Sequence, residues 1–507
     1  LNIEKSNEVI LGACQTINLC QHLGAKIMTE NQANHFPYLP HTEGDRAEML
    51  AEIGVKSFEE LISHVPAEIR VKDLNLPSGL SELEVQEKVG ALAAKNVPAS
   101  QQAFFLGGGS YRRFVPAAVG SIISRSEFAT AYTPYQPEVS QGSLQAIYEF
   151  QSAVCLLTGM EVANASMYDG PTACAEAALM ASRVTGRQKI YLSPSVNPEY
   201  AAVTETYAHA CDLNIDTLSL NGGLTDVLTI KEAKDAAAII VQYPNYFGLI
   251  EDIGQAQKVA HENGALLIVV TEPISLALLK SPGEFLADIV VGDAQACGNF
   301  LSFGGPSAGY MACRKEFIRQ LPGRLAGKTL DVSGQTAYTL TLQTREQHIR
   351  RAKATSNICT NQALNALAML VYLACLGPKG LAEVAKLSLE RAHYLAEELR
   401  KIPGVELAFD APFFNEFAIT TPYSSALVLK SLAENGVLGG INLSNASVPI
   451  ENGILIAVTE TNKKAELDLY ATTLRKLLTE ELPATQSDSE ARSISVVNFD
   501  KASSSVK

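Results

Sequence analysis

The sequence predicts an α/β protein built on a central sheet of parallel type, with a helical N-terminal arm and a smaller C-terminal α+β domain. Three observations carry this prediction. Short β-branched apolar runs, KIYLS (189–193), AAIIVQYP (237–244), ALLIVVTEP (265–273) and ADIVVGD (287–293), recur with helical patterns such as 252–263 between some of them. Continuous apolar strands need cover on both faces, which points to a parallel sheet between helical layers. Beyond a break at Gly377-Pro378 the pattern changes to helix, strand, strand, helix, strand, helix. At 507 residues the chain also exceeds a single core, so two or three domains are expected.

The elements follow in order. Residues 1–34 form an N-terminal extension whose role the pattern leaves open. A helical arm occupies 35–125: Thr42 caps a helix that Gly54 ends, and Ser57 with Glu60 makes a capping box for the next. The large domain, 126–376, opens with a helix over 142–158 that places Leu144, Ile147, Val154 and Leu157 on one face. PTACAEAALMASR (171–183) begins with Pro at a first-turn position and is rich in alanine, which suits a helix lying close against a sheet. A long helical segment covers 355–376. The small domain, 377–482, reads as helix 379–401, strands 404–409 and 414–420, helix 424–435, strand 453–459 and helix 462–481. The Ser-rich polar stretch 483–507 is expected to be a disordered tail.

Composition excludes several functions. A formal charge of −14 argues against a nucleic-acid or acidic-membrane surface, because either needs a clustered positive field. No apolar run reaches the roughly eighteen residues of a membrane span, and no secretory signal pattern is visible. Nine cysteines, an odd number without a C-x-x-C pair, read as reduced thiols of a cytoplasmic protein. The eight histidines show no ligand spacing, so no metal site is expected.

Several stretches could carry chemistry. PGRLAGKT (322–329) resembles a phosphate loop, but three residues separate Gly323 from Gly327 where that motif has four, and a basic surface turn is the expectation. LGGGSY (106–111) does not match the dinucleotide fingerprint. In SMYDGPTACAEAAL (166–179), Asp169 and Thr172 stand at a helix start whose free amide hydrogens attract anions. Ordinary capping of a core helix accounts for the same residues. Glu272 ends a buried-looking strand, where open α/β sheets bind ligands, or else caps the turn at Pro273. The proline-stiffened loop YTPYQPE (132–138) suits ligand contact or domain packing. LSFGGPSAG (301–309) can bring backbone close to a ligand or another chain.

The stretch VVGDAQACGNFLSFGGPSAG (290–309) reads like the cofactor loop of a pyridoxal-phosphate enzyme, yet no lysine occurs between Lys280 and Lys315. YLPHTEGDRAEMLAEIGV, TPYQPEVSQGSLQAIYEFQSAVCLLTGMEVANASMYDG, LSFGGP, LTLQTREQHIRRAKATSNICTNQALNALA and FFNEF closely resemble the α subunit (subunit 1) of the bacterial two-subunit glycine decarboxylase, the P-protein of the glycine cleavage system. The match covers roughly residues 36–480.

The resemblance implies the aspartate-aminotransferase-like fold of type I pyridoxal-phosphate enzymes. It implies a glycine dehydrogenase (decarboxylating) that takes glycine, releases CO2 and leaves an aminomethyl group on the lipoyl arm of the H-protein. Pyridoxal phosphate is the electron sink of that reaction. By resemblance it resides on subunit 2 (β), with none held covalently here, because the Schiff-base lysine position falls near Ala296. An α2β2 heterotetramer is implied. Asp169, Thr172 and Glu272 become residues of a vestigial cofactor pocket, Glu272 standing where the active subunit has aspartate. Tyr135, Gln136, Ser302 and Phe303 become candidates for the partner's site or the interface. Two alternatives stay open. An independent pyridoxal-phosphate decarboxylase or aldolase would need a lysine after a core strand, and the gap from 281 to 314 opposes it. A non-catalytic scaffold of the same fold would have no need of the polar loops at 132–138 and 301–309.

Overall fold

The computed structural model describes residues 41–481, apart from 72–74, 231–233, 346, 357 and 359–360. The expected extension 1–34 and tail 483–507 lie outside the described residues. The chain forms two compact units, divided between Lys95 and Asn96.

Local signals set the helices of the first unit. Helix α1 (Glu43–Ile53) starts at a capping box in which Thr42 Oγ1 accepts from the Asp45 amide and the Asp45 carboxylate accepts from the Thr42 amide at 2.6 Å. Gly54 ends it with φ 85°. The short helix Phe58–Leu61 is capped by Ser57, but the Glu60 carboxylate accepts from the Lys56 amide rather than that of Ser57, so this box closes one residue early. Helix α2 (Glu82–Ala93) has a complete Ser81–Glu84 box. No residue of these helices is buried.

Residues 96–125, grouped with the arm in the sequence reading, lie in the second unit, where Tyr111 and Val119 join its core. That unit contains a seven-stranded sheet of β1 (Val162–Ala163), β2 (Lys189–Leu192), β3 (Asn214–Thr217), β4 (Ala236–Tyr243), β5 (Leu266–Thr271), β6 (Ile289–Asp293) and β7 (Gly309–Cys313). Their spatial order is β1-β7-β6-β5-β4-β2-β3. Pairings from β6 through β3 are parallel, while β7 runs antiparallel to both neighbours. Helices α3 (Gln141–Thr158), α4 (Gly170–Thr185), α5 (Pro198–Ala210) and α6 (Ile253–Glu262) accompany it.

Successive strand residues point to opposite faces. Ile239, Val241, Leu267, Val269 and Val290 enter one apolar cluster; Ala238, Ile240, Ile268, Ile289 and Val291 enter another with the alanine-rich α4. The runs are apolar throughout because both faces are covered.

Two expectations need correction. PGRLAGKT is no surface turn: Leu325–Leu330 is strand β8, paired antiparallel with β9 (Thr336–Thr341). Gln151 of α3 bonds both the amide and the carbonyl of Ala326, and Leu325 and Ala326 are buried. The helical segment expected to begin at 355 instead begins at Ala363, as α7 (Ala363–Arg400), which Gly377 (φ 60°, ψ −178°) divides into two helical halves at the expected Gly377-Pro378 break. Its first half (Ala366, Leu367, Met369, Tyr372) joins the large core. Its second half (Ala392, Leu395, Leu399) joins a separate cluster with α8 (Ser425–Glu434), α9 (Lys464–Lys476) and a four-stranded sheet. That sheet has β10 (Glu406–Leu407), β11 (Glu416–Thr420), β12 (Ile441–Asn442) and β13 (Gly453–Ala457). By length and apolarity α7 could cross a membrane, a feature the sequence reading passed over; here its buried residues serve two cores.

Candidate functional site

In open α/β sheets the ends of the strands converge with loop backbone to form the site. The carboxyl ends of β5 and β6 here deliver Glu272 and Asp293 to one small cavity. Tyr111, Asn197, Tyr200, Gln242 and Ala296 also line it. Its volume is about 30 Å³, the scale of a water molecule or two.

Asp293 is held at the start of α4. Its Oδ2 accepts from the Gly170 amide at 2.9 Å, and its Oδ1 accepts from the Gln295 amide at 2.8 Å and from the Ser307 hydroxyl. Only glycine fits at 170, because a Cβ there would collide with the Tyr200 hydroxyl and approach Asp293 Cβ at 3.0 Å. Burial raises the Asp293 pKa, and the Ser307, Gly170 and Gln295 hydrogen bonds oppose that shift. Asp169 and Thr172 bond each other: Asp169 Oδ1 accepts from both the amide and the hydroxyl of Thr172 at 2.8 Å. They form an ordinary helix cap and do not line the cavity.

Glu272 Oε2 accepts from the Ser275 amide at 2.7 Å, so it does cap its own turn. Its Oε1 stands 3.6 Å from Arg113 Nη2 and has no hydrogen-bond partner. Arg113 is buried and also pairs with Glu460 at 2.8 Å, linking the sheet end to the smaller cluster. Burial weakens the Arg113 charge, and the Glu272 and Glu460 carboxylates outweigh it, so its pKa lies above the ordinary value. Burial raises that of Glu272, with Arg113 opposing.

The segment LGGGSYR crosses this end of the sheet. Gln295 clamps Tyr111 through both backbone groups, at 2.7 and 3.0 Å. Asn197 Nδ2 donates to the Gly108 carbonyl at 2.8 Å. Glu416 accepts from the Gly108 amide at 2.7 Å and from the Tyr111 hydroxyl at 2.6 Å, and burial pushes its pKa up to about 7.

The residues present do not fit the pyridoxal phosphate that the resemblance implies for its family. Ala296, the residue that the resemblance sets at the lysine position, is buried and offers no amine. The lining contains two carboxylates and neither lysine nor arginine. The amide that would greet a phosphate already bonds Asp293.

Of the residues singled out in sequence, Glu272 and Ala296 meet at this cavity, while Tyr135, Gln136, Ser302 and Phe303 do not line it. Phe303 is fully exposed, and it and Ser302 have φ 57° and 44°. Tyr135 is half exposed; its hydroxyl accepts from Arg324 at 3.3 Å and its ring packs edge-on to His348. Sequence reasoning missed Asp293, Arg113, Tyr111, Gln295 and Glu416. Asp293 was within reach, since the strand-end argument used for Glu272 applies equally to the last residue of IVVGD. The others depend on chain crossings that no local pattern records.

A family model of the glycine cleavage system P-protein matches residues 37–474. The chain is 50% identical over 444 residues to the probable glycine dehydrogenase (decarboxylating) subunit 1 of Chloroherpeton thalassium, covering 87% of this chain and 100% of that protein. For the like-named protein of Moorella thermoacetica the identity is 49% over 444 residues, covering 87% and 99%. A crystal structure of glycine decarboxylase (P-protein) of the glycine cleavage system, in inhibitor-bound form, matches with a TM-score of 0.79 and 46% identity over 87% of this chain and 100% of that one. A NifS-like protein shares the fold at 11% identity, with a TM-score of 0.55 over 74% of this chain and 99% of that one. With its sheet, its strand-end cavity and these matches taken together, the chain belongs to the glycine cleavage system P-protein family.

Proposed function

We propose that this chain is the α subunit of a two-subunit glycine decarboxylase. With subunit 2 it decarboxylates glycine and transfers the aminomethyl group to the lipoyl arm of the H-protein. Pyridoxal phosphate resides on subunit 2, and this chain completes the partner's site and holds its shape in a cytoplasmic α2β2 assembly. The observation that carries this reading is a strand-end cavity of about 30 Å³ that Ala296 lines, with no lysine in its lining and with its helix start bonded to Asp293.

Tyr135, Gln136, Ser302 and Phe303 are the surface this chain offers to the partner's site. All four are exposed, and Pro134 and Pro137 fix the backbone around the first two.

Borohydride reduction of the co-expressed complex, followed by peptide mapping, tests the assignment. The cofactor adduct is expected on subunit 2 alone. A stable adduct on any lysine of this chain, or full activity of subunit 2 without it, overturns the reading.

A further inference from the structure

The start of α4 is where a fold of this class would present free amides to an anion. In this chain that place is taken from within. The Gly170 amide and the Ser307 hydroxyl, from two other segments, and the Gln295 amide of its own turn converge on one carboxylate, that of Asp293. All three are donors, the set that a phosphate oxygen or an ionised carboxylate accepts. The absence of a side chain at 170 is what lets β6 approach so closely.

We propose that Asp293 is an internal substitute for a ligand phosphate, so that the strand-end pocket of this chain is complete without a cofactor. Two further features agree. Asp169 and Asp293 both place carboxylates at the first turn of α4, so an incoming phosphate would meet like charge there. At the other end of the cavity, Glu272 has Arg113 as a cationic neighbour supplied by the chain itself. The chain thus supplies its own anion at the helix start and, from Arg113 outside the cavity lining, its own cation at the strand-end carboxylate. This inference rests on the reading that the cofactor belongs to subunit 2.

Hydrogen exchange on the assembled two-subunit complex tests it, followed on the peptide of this chain that contains Gly170 and Thr172. In the wild type that peptide should be protected and indifferent to added inorganic phosphate or free pyridoxal phosphate. In Asp293→Ala the Gly170 amide should exchange roughly tenfold faster, the effect of losing a charge-assisted hydrogen bond. Inorganic phosphate, and not chloride, should restore protection. Asp293→Asn keeps the shape and an acceptor oxygen but not the charge, and should show a smaller rise. If Asp293→Ala does not assemble, the asparagine variant decides, and wild-type exchange in it overturns the proposal. Protection of the wild-type peptide by phosphate, or unchanged exchange in Asp293→Ala, also overturns it. A borohydride adduct on this chain would sink the subunit assignment instead, so the two failures are distinguishable.

Discussion

The Tyr111 hydroxyl and the Glu416 carboxylate meet at 2.6 Å, although 305 positions separate them in the chain. Through this contact and the Gly108 amide, strand β11 of the smaller cluster fastens the segment LGGGSYR over the end of the larger sheet. A buried carboxylate in that position makes the fastening sensitive to pH.

Burial raises the Glu416 pKa from 4.5 to about 7. The folded state therefore holds a proton that the unfolded state has lost, and stability falls as pH rises from about 4.5 to 7, by on the order of 3 kcal/mol. Glu416→Gln cannot titrate and can turn its carbonyl to the Gly108 amide. Its stability relative to wild type should rise across that window and level off above pH 7. Parallel denaturation curves for the two proteins from pH 4.5 to 8 would refute the assignment.

Arg113 offsets two largely buried carboxylates, those of Glu272 and Glu460. Arg113→Ala should destabilise by about 3–5 kcal/mol, since it strands both charges. Adding Glu272→Gln to it should recover part of the loss, which a double-mutant cycle by urea denaturation would measure. Purely additive effects would mean that the pair at 3.6 Å contributes nothing.

Gly377 isolates a conformational effect. A Cβ there meets no atom within 4 Å, yet its φ 60° and ψ −178° belong to a region that is essentially glycine's alone. Gly377→Ala should cost about 1–3 kcal/mol through backbone strain without any clash. Asparagine, tolerated at left-handed helix ends, should give no relief because this is not that conformation. An unchanged melting midpoint in Gly377→Ala would show that α7 straightens freely.

Tyr135 and Gln136 test the contribution to the partner's site. Tyr135→Phe or Gln136→Ala should lower kcat for glycine–bicarbonate exchange by the assembled enzyme while size-exclusion shows the complex intact. Tyr135→Phe also removes the acceptor of the Arg324 bond, so its melting midpoint should be measured beside its rate. Full activity in both variants would limit the loop to packing.

What the sequence by itself determined lies close along the chain. The Thr42–Asp45 and Ser81–Glu84 boxes join residues three apart, and they follow from side chains that can reach only their own helix start. The apolar runs of β4, β5 and β6 were legible because burial on both faces permits few polar residues. The missing lysine between 280 and 315 was likewise a matter of reading. The tertiary structure decided the rest. PGRLAGKT became the buried start of a hairpin strand, where Gln151, 175 residues away, bonds the Ala326 backbone. Asp293 became the anion at Gly170, and Arg113 the neighbour of Glu272, because the fold brings distant donors to those carboxylates. A carboxylate's identity is written in the sequence, but its role is set by which donors and charges arrive around it, and those come from segments that only folding brings together.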